Sequence, residues 1–253
     1  ERRGDSEIHR MKMIIANYKM HCGVRESTAL ARGVLRGVQG KEHIPEIVLC
    51  PSFPALVDVR KVVAKTRVCL GAQDVASTPN GAFTGEVSAT QLKDVGCDYV
   101  LVGHSERREG LGETDDMIRE KLVQAYGASV VPVLCVGKDA EAQVAAAFRD
   151  VVVPRGERVI VAYEPLSAIG TGNAASVADV VTMHQAIRRT VTSIIADRDV
   201  VVLYGGSVDG KNAHDYLRER DVDGVLVGGA SVKLAEFLTV IAAAGEVLHA
   251  QAV

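Results

Sequence analysis

Several features that would assign the chain to a class at once are missing. No apolar run approaches the roughly 20 residues a helix needs to cross a membrane. Charge of one sign is not in excess. Against 29 Lys and Arg stand 32 Asp and Glu, a formal net charge of −3, so nothing calls for nucleic acid or an anionic membrane as partner. Cysteine is sparse: the five thiols (Cys22, Cys50, Cys69, Cys97, Cys135) are odd in number and contain no CxxC. That fits reduced thiols in a cytosol rather than a disulfide framework. The seven histidines are scattered, with no HExxH or HxH pair, so no metal is expected. No Gly/Ser/Pro-rich linker divides the 253 residues, which points to a single domain. Residues 1–10 are polar and charged without the apolar core of a secretory leader; they read as a disordered extension of a domain over 11–253, with Met11 and Met13 as alternative starts.

What is present is a rhythm. Eight short β-branched runs recur: Met13–Ala16, Ile47–Cys50, Val68–Leu70, Tyr99–Val102, Val130–Val136, Val159–Ala162, Val200–Leu203 and Gly224–Val227. They are near-continuously apolar, as strands buried on both faces are. Between them lie stretches with helical patterning, including Arg25–Gln39, Glu113–Tyr126, Ala140–Phe148, Val177–Ala196, Lys211–Glu219 and Val232–Ala242, with caps such as Thr114 and Ser176 at their starts. Strand starts are 21 to 41 residues apart, room for a crossover helix each time. Eight such units suit an open doubly wound sheet or a closed barrel, and a chain of about 250 residues favours closure. The expected fold is α/β, a single-domain eight-stranded parallel (βα)8 barrel.

In such a barrel the side chains at the carboxyl ends of the strands converge on one rim. Asn17 and Lys19 follow the first strand, His104 and Glu106 the fourth, and Glu164 the sixth. Glu164 precedes Pro165, which keeps its backbone extended. A carboxylate fixed at a strand end and partly shielded from water is a good general base. His104 stands before a helix start at Ser105–Arg108, and a helix N-terminus favours a neutral imidazole able to polarise a carbonyl. Glycine-rich turns at Gly170–Gly172, Gly205–Ser207 and Gly228–Gly229, together with Lys19, suit a phosphate. The stretch Gly205–Asn212 (GGSVDGKN) nearly matches a P-loop, but Asn212 stands where magnesium needs a hydroxyl, so a nucleotide is not expected. Residues 166–173 (LSAIGTGN), between Pro165 and a Gly-Thr-Gly exit, read as a lid. Residues 73–86 form an unusually long connection with Phe83 among turn residues, which suits insertion into an identical subunit or a mobile surface loop equally.

The motifs ANYKM (16–20), GAFTGEVSA (81–89), VGHSERR (102–108), LCVG (134–137), AYEPLSAIGTG (162–172), YGGSV (204–208) and LVGGAS (226–231), in this order, resemble the triosephosphate isomerase family from Met13 to about Gly245. That family is itself the standard illustration of acid–base tuning and of a closing lid. The resemblance implies a TIM barrel that interconverts dihydroxyacetone phosphate and glyceraldehyde 3-phosphate through an enediolate, without cofactor, in the cytoplasm and as part of glycolysis and gluconeogenesis. It implies that Glu164 moves the proton, that His104 polarises the carbonyl, and that Lys19 and Asn17 hold the anionic substrate. Glu106 would support their charges, and the N–H groups of Gly170, Ser207, Gly228 and Gly229 would grip the phosphate. A homodimer through the 73–86 loop would set Phe83 and Thr84 into the neighbour, Thr84 beside the partner's Asn17 and the partner's Lys19. Cys135 is expected to be buried and structural.

The chain departs from the family at Tyr18 and Ser167, both usually Trp, at His21–Cys22, at Asn173, and at Lys138, usually Glu. In the family the lid Trp, that Glu and the counterpart of Tyr163 exchange contacts as the lid works. Two of these three are changed, so a leakier lid is expected, read as more methylglyoxal per turnover than in a Trp-bearing relative. A tetrulose-phosphate isomerase would share the catalytic residues, though the unaltered Ile169–Gly172 run argues for the smaller substrate. A non-catalytic barrel used as a scaffold should have lost Glu164, His104 or Lys19, and all three are present.

Overall fold

The computed structural model describes residues 11–165 and 174–252. The expectations for 1–10, and for Gly170, Ser167 and Asn173 in the 166–173 lid, lie outside the described residues. Eight parallel strands, β1 (Met13–Asn17), β2 (Glu46–Cys50), β3 (Val68–Ala72), β4 (Tyr99–Val102), β5 (Val131–Val136), β6 (Val159–Tyr163), β7 (Val200–Tyr204) and β8 (Gly224–Val227), pair in chain order and close β8 onto β1. The register runs Ile15↔Val48 between β1 and β2, Leu101↔Val133 between β4 and β5, and Ile15↔Leu226 across the closure. Helices cover the outside: α1 (Val24–Val38), α2 (Leu56–Val63), α3 (Ala89–Val95), α4 (Ser105–Leu111), α5 (Asp115–Gly127), α6 (Ala140–Ala147), α7 (Val177–Ile194), α8 (Ala213–Leu217) and α9 (Leu234–Ala252).

The alternation of a strand explains why the runs had to be apolar throughout. Ile15, Val48, Leu101, Val133, Ile160 and Leu203 point inward and fill the barrel. Their neighbours Ile14, Leu49, Val100, Leu134, Val161 and Val202 pack outward with Val34, Leu92, Ile118, Val144, Ile187 and Phe237 of the helices. Each fully buried side chain of this size contributes about 1.5–3 kcal/mol. The amino end is closed by polar groups from even-numbered units. Arg158, just before β6, makes two hydrogen bonds to Glu46 of β2 (2.8 and 2.9 Å), and the Tyr99 hydroxyl of β4 joins both.

The expected strands agree with the observed ones to within two residues at either end. The helices agree less well. Lys211 and Asn212 lie in a turn ahead of the helix, their N–H groups donating to the Asp209 carboxylate at 2.7 and 3.3 Å, and α8 is only five residues long. The last helix starts two residues later and ends ten residues further on than its pattern suggested, since residues 229–232 form a 3-10 turn. The short helices α2 and α3 were passed over. Thr114 and Ser176 do cap, accepting the N–H groups of Met117 (3.3 Å) and Asp179 (3.1 Å).

Candidate active site

The inward-facing rows do not stop with the last packed side chain. Two residues beyond Ile15, Leu101, Ala162, Leu203 and Leu226 come Asn17, Gly103, Glu164, Gly205 and Gly228. The alternation that builds the core therefore delivers these residues to one rim, where water and ligand begin.

Glu164 is 2% exposed and fully engaged. Its Oε2 accepts the Ser105 N–H (3.0 Å), while Oε1 lies 3.2 Å from His104 Nε2. His104 caps α4, its Nδ1 accepting the N–H of Glu106 at 3.2 Å. An imidazole that accepts at Nδ1 carries its proton on Nε2, so His104 presents a neutral N–H donor toward the carboxylate. Beneath them Cys135 is buried, and burial with the adjacent Glu164 charge pushes its thiol well above the usual range. It is an inert packing group, as expected.

Lys19 adopts a left-handed backbone (φ 50°). Its N–H donates to Asn17 Oδ1 (2.9 Å), its carbonyl accepts from Gln73 Nε2 (2.9 Å), and its Nζ contacts Glu106 Oε1 at 2.6 Å. Burial works to raise the Glu106 carboxyl, but the Lys19 hydrogen bond and charge outweigh it and hold the group below the ordinary carboxylate range. Glu106 thus ties the cation at the end of β1 to the helix that His104 caps.

The two glycine turns stand opposite. A Cβ at Gly228 would lie 3.3 Å from Lys19 Cε, one at Gly205 would lie 2.9 Å from Glu164 Cγ, and one at Gly206 would lie 2.2 Å from the Tyr204 hydroxyl. These backbones approach Glu164 and Tyr204 so closely that a side chain at Gly205 or Gly206 would displace them, and one at Gly228 would crowd Lys19. The near-P-loop resolves into a turn closed on itself: Asn212 Oδ1 accepts the Asp209 N–H and its Nδ2 donates to the Ser207 carbonyl, both at 3.0 Å. On the far side of Glu164, Lys138 lines a cavity of about 220 Å³ with Ser105, Arg108 and Gln143.

Asn17, Lys19, His104, Glu106, Glu164, Ser207, Gly228 and Gly229 thus lie at the carboxyl ends of β1, β4, β6, β7 and β8. Phe83 and Thr84 are exposed on the 73–86 loop that follows β3. Sequence reasoning passed over Gln73, which also bonds the Cys50 carbonyl (3.0 Å), and the backbone N–H of Ser105. Gln73 is two residues beyond Gly71 of β3, so the inward-row rule would have found it. Among the described residues no group of three or more His, Cys, Asp and Glu side chains is arranged to hold a metal, and no helix is long and apolar enough to cross a membrane.

The sequence profile described as Triosephosphate isomerase matches residues 12–244. The chain belongs to the triosephosphate isomerase family. It is 42% identical to a triosephosphate isomerase of Roseiflexus sp. (strain RS-1) over 248 residues, 92% of this chain and 97% of that protein. It is 40% identical to a triosephosphate isomerase of Thermus thermophilus over 252 residues, 93% and 100% of the two chains. A crystal structure of triosephosphate isomerase from Bartonella henselae superposes with a TM-score of 0.79 at 31% identity, covering 92% of this chain and 98% of that one. These relatives of the triosephosphate isomerase family favour neither the tetrulose-phosphate reading nor the scaffold reading.

Proposed function

We propose that the chain is a triosephosphate isomerase, interconverting dihydroxyacetone phosphate and D-glyceraldehyde 3-phosphate through an enediolate. The observation that carries this reading is one buried carboxylate and one neutral imidazole N–H, 3.2 Å apart, beside a lysine and two glycine turns. Glu164 takes the proton from the carbon next to the carbonyl and returns it to the neighbouring carbon. In doing so it gives up its bond to the Ser105 N–H. The His104 Nε2–H, directed at Glu164 Oε1 in the structure, passes to the oxygen on which negative charge develops as the carboxylate moves to the substrate carbon. Lys19, steadied by Glu106 and Asn17, neutralises the anionic substrate. The N–H groups of Gly170, Ser207, Gly228 and Gly229 hold its phosphate. The reaction is placed in the cytoplasm, consistent with five free thiols, in glycolysis and gluconeogenesis. The enzyme acts as a homodimer through the 73–86 loop, with Thr84 completing the neighbour's site.

The test is conversion of the two triose phosphates by purified protein. Glu164→Asp withdraws the carboxylate by roughly 1 Å, and a displacement of that size costs about a hundredfold in kcat. Glu164→Gln, which keeps the shape and removes the base, should lose nearly all activity. Full activity in the Gln variant, or faster turnover of a tetrulose phosphate than of the trioses, would refute the assignment.

A further inference from the structure

We propose that Tyr216 is a positioning residue for the phosphate-binding side of this site, a role that rests on the isomerase reading above. Tyr216 lies in α8, outside every motif that carries the family resemblance, and is 3% exposed. Its ring packs on Tyr204 at the end of β7, centroids 4.4 Å apart and planes 34° from parallel. The two hydroxyls seize one residue from both directions. Tyr204 accepts the Ala175 N–H at 3.0 Å, and Tyr216 donates to the Ala175 carbonyl at 2.6 Å. Burial first, and the neighbouring Tyr204 hydroxyl second, push the Tyr216 phenol above its usual range, so it remains a donor at neutral pH.

Three parts of the site meet on this pair of rings. Ala175 belongs to the connection between β6 and α7. Gly206 lies against the Tyr204 hydroxyl so closely that a Cβ would sit 2.2 Å from it. The helix bearing Tyr216 follows Asn212, whose side chain holds the Ser207 carbonyl. Without the Tyr216 hydroxyl the Ala175 carbonyl loses this partner, Ala175 is held only through its N–H on the Tyr204 hydroxyl, and the Gly205–Ser207 turn packed against that hydroxyl is less firmly placed. Tyr216 touches no substrate, so its effect must appear in how tightly an anion is held and not in the proton transfer itself.

Tyr216→Phe keeps the stacked ring and removes only the hydroxyl. KM for the triose phosphates and Ki for inorganic phosphate are expected to rise about threefold to tenfold, the range of one neutral hydrogen bond. Catalytic turnover at saturation should stay near wild type, and turnover of D-glyceraldehyde, which has no phosphate, should be unchanged. Hydrogen exchange at the Ala175 N–H should quicken. Tyr216→Leu, which also removes the ring contact, should weaken phosphate further with the same indifference toward D-glyceraldehyde. An unchanged Ki in both variants, a lowered Tm with Ki unchanged, or equal losses on D-glyceraldehyde and the triose phosphates would overturn the proposal. If the wild type fails to turn over triose phosphates, the isomerase reading falls. Phosphate-dependent Tm and Ala175 exchange then still decide the role of Tyr216 separately.

Discussion

Lys19 has a backbone that a lysine adopts only under constraint. A left-handed conformation costs a non-glycine residue about 1 kcal/mol or more, and persists where its surroundings over-determine it. Here the Asn17 carboxamide takes the N–H and Gln73 takes the carbonyl. Gln73→Ala would strip one donor from both the Lys19 and the Cys50 carbonyl. The expected result is a raised KM, as the lysine loses its placement, with a stability loss of about 1–3 kcal/mol. That corresponds to a Tm lower by about 2–12 °C in a chain of this size. Unchanged KM with lowered Tm would show that Gln73 braces the fold alone. Tyr18 predicts the opposite. It is fully buried, its hydroxyl has no hydrogen-bond partner among the described residues, and burial pushes its phenol up. Tyr18→Phe removes a desolvated polar group that has no protein partner, so thermal denaturation should show Tm unchanged or raised. Asn17, Lys19, His104 and Glu164 could be read from the sequence because each lies within three residues of the end of an apolar run. Gln73 follows such a run too, but it also begins the long loop, and no linear pattern shows its bond to the Lys19 carbonyl.

The strands were more legible than the helices for a physical reason. A strand buried on both faces has no polar positions, so its apolar run marks it unambiguously, whereas short helices such as α3 bury only a residue or two and leave little period. What the pattern could not reveal is how the elements are tied together. Between β3, α4 and α5 lies a buried ion network. Lys121 Nζ meets Asp74 Oδ1 at 2.6 Å and also Glu113, while Arg107 bonds Asp74 at 2.8 Å and Glu113 at 2.6 Å. Glu113 reads as the first residue of a helix; instead it lies outside α5 and is 7% exposed in this network. Lys121→Met leaves two buried carboxylates facing a single arginine, which should cost about 3–5 kcal/mol. Burial already raises the Asp74 carboxyl against the opposing pull of Lys121. A carboxyl whose folded value is raised binds its proton more tightly when folded. Its protonated form therefore adds stability at low pH that is lost as pH rises through the folded value. Removing Lys121 strengthens that shift, so the Tm gap between wild type and variant should narrow from about pH 7 to about pH 5. A gap that is constant or widens on acidification would mean that the lysine does not compensate these carboxylates.

Closure of the barrel followed from counting eight regular units, but assembly needs something the count does not contain. The 73–86 loop could be read as a mobile surface connection or as an insertion into a second copy. It is braced by its own bonds: Phe83 N–H to the Gly81 carbonyl and Glu86 N–H to the Phe83 carbonyl, both 3.0 Å, and the Thr90 hydroxyl to Asn80 at 2.7 Å. These bonds hold Phe83 half exposed at 50%, where burying the rest of the ring would gain on the order of 1 kcal/mol. The proposed homodimer supplies the cover, and it makes activity a property of the pair. Phe83→Asp would put a charge into that contact and should shift the protein toward monomer in sedimentation velocity. Specific activity should fall with dilution at protein concentrations where the wild type is unaffected, since Thr84 then has no neighbouring site to complete. Because Phe83 lies outside the hydrophobic core and makes no side-chain hydrogen bond, the fold of each subunit should be kept, and far-ultraviolet circular dichroism would check this. A variant with wild-type sedimentation and a specific activity independent of dilution would remove the loop from assembly and leave its bracing without the role proposed here.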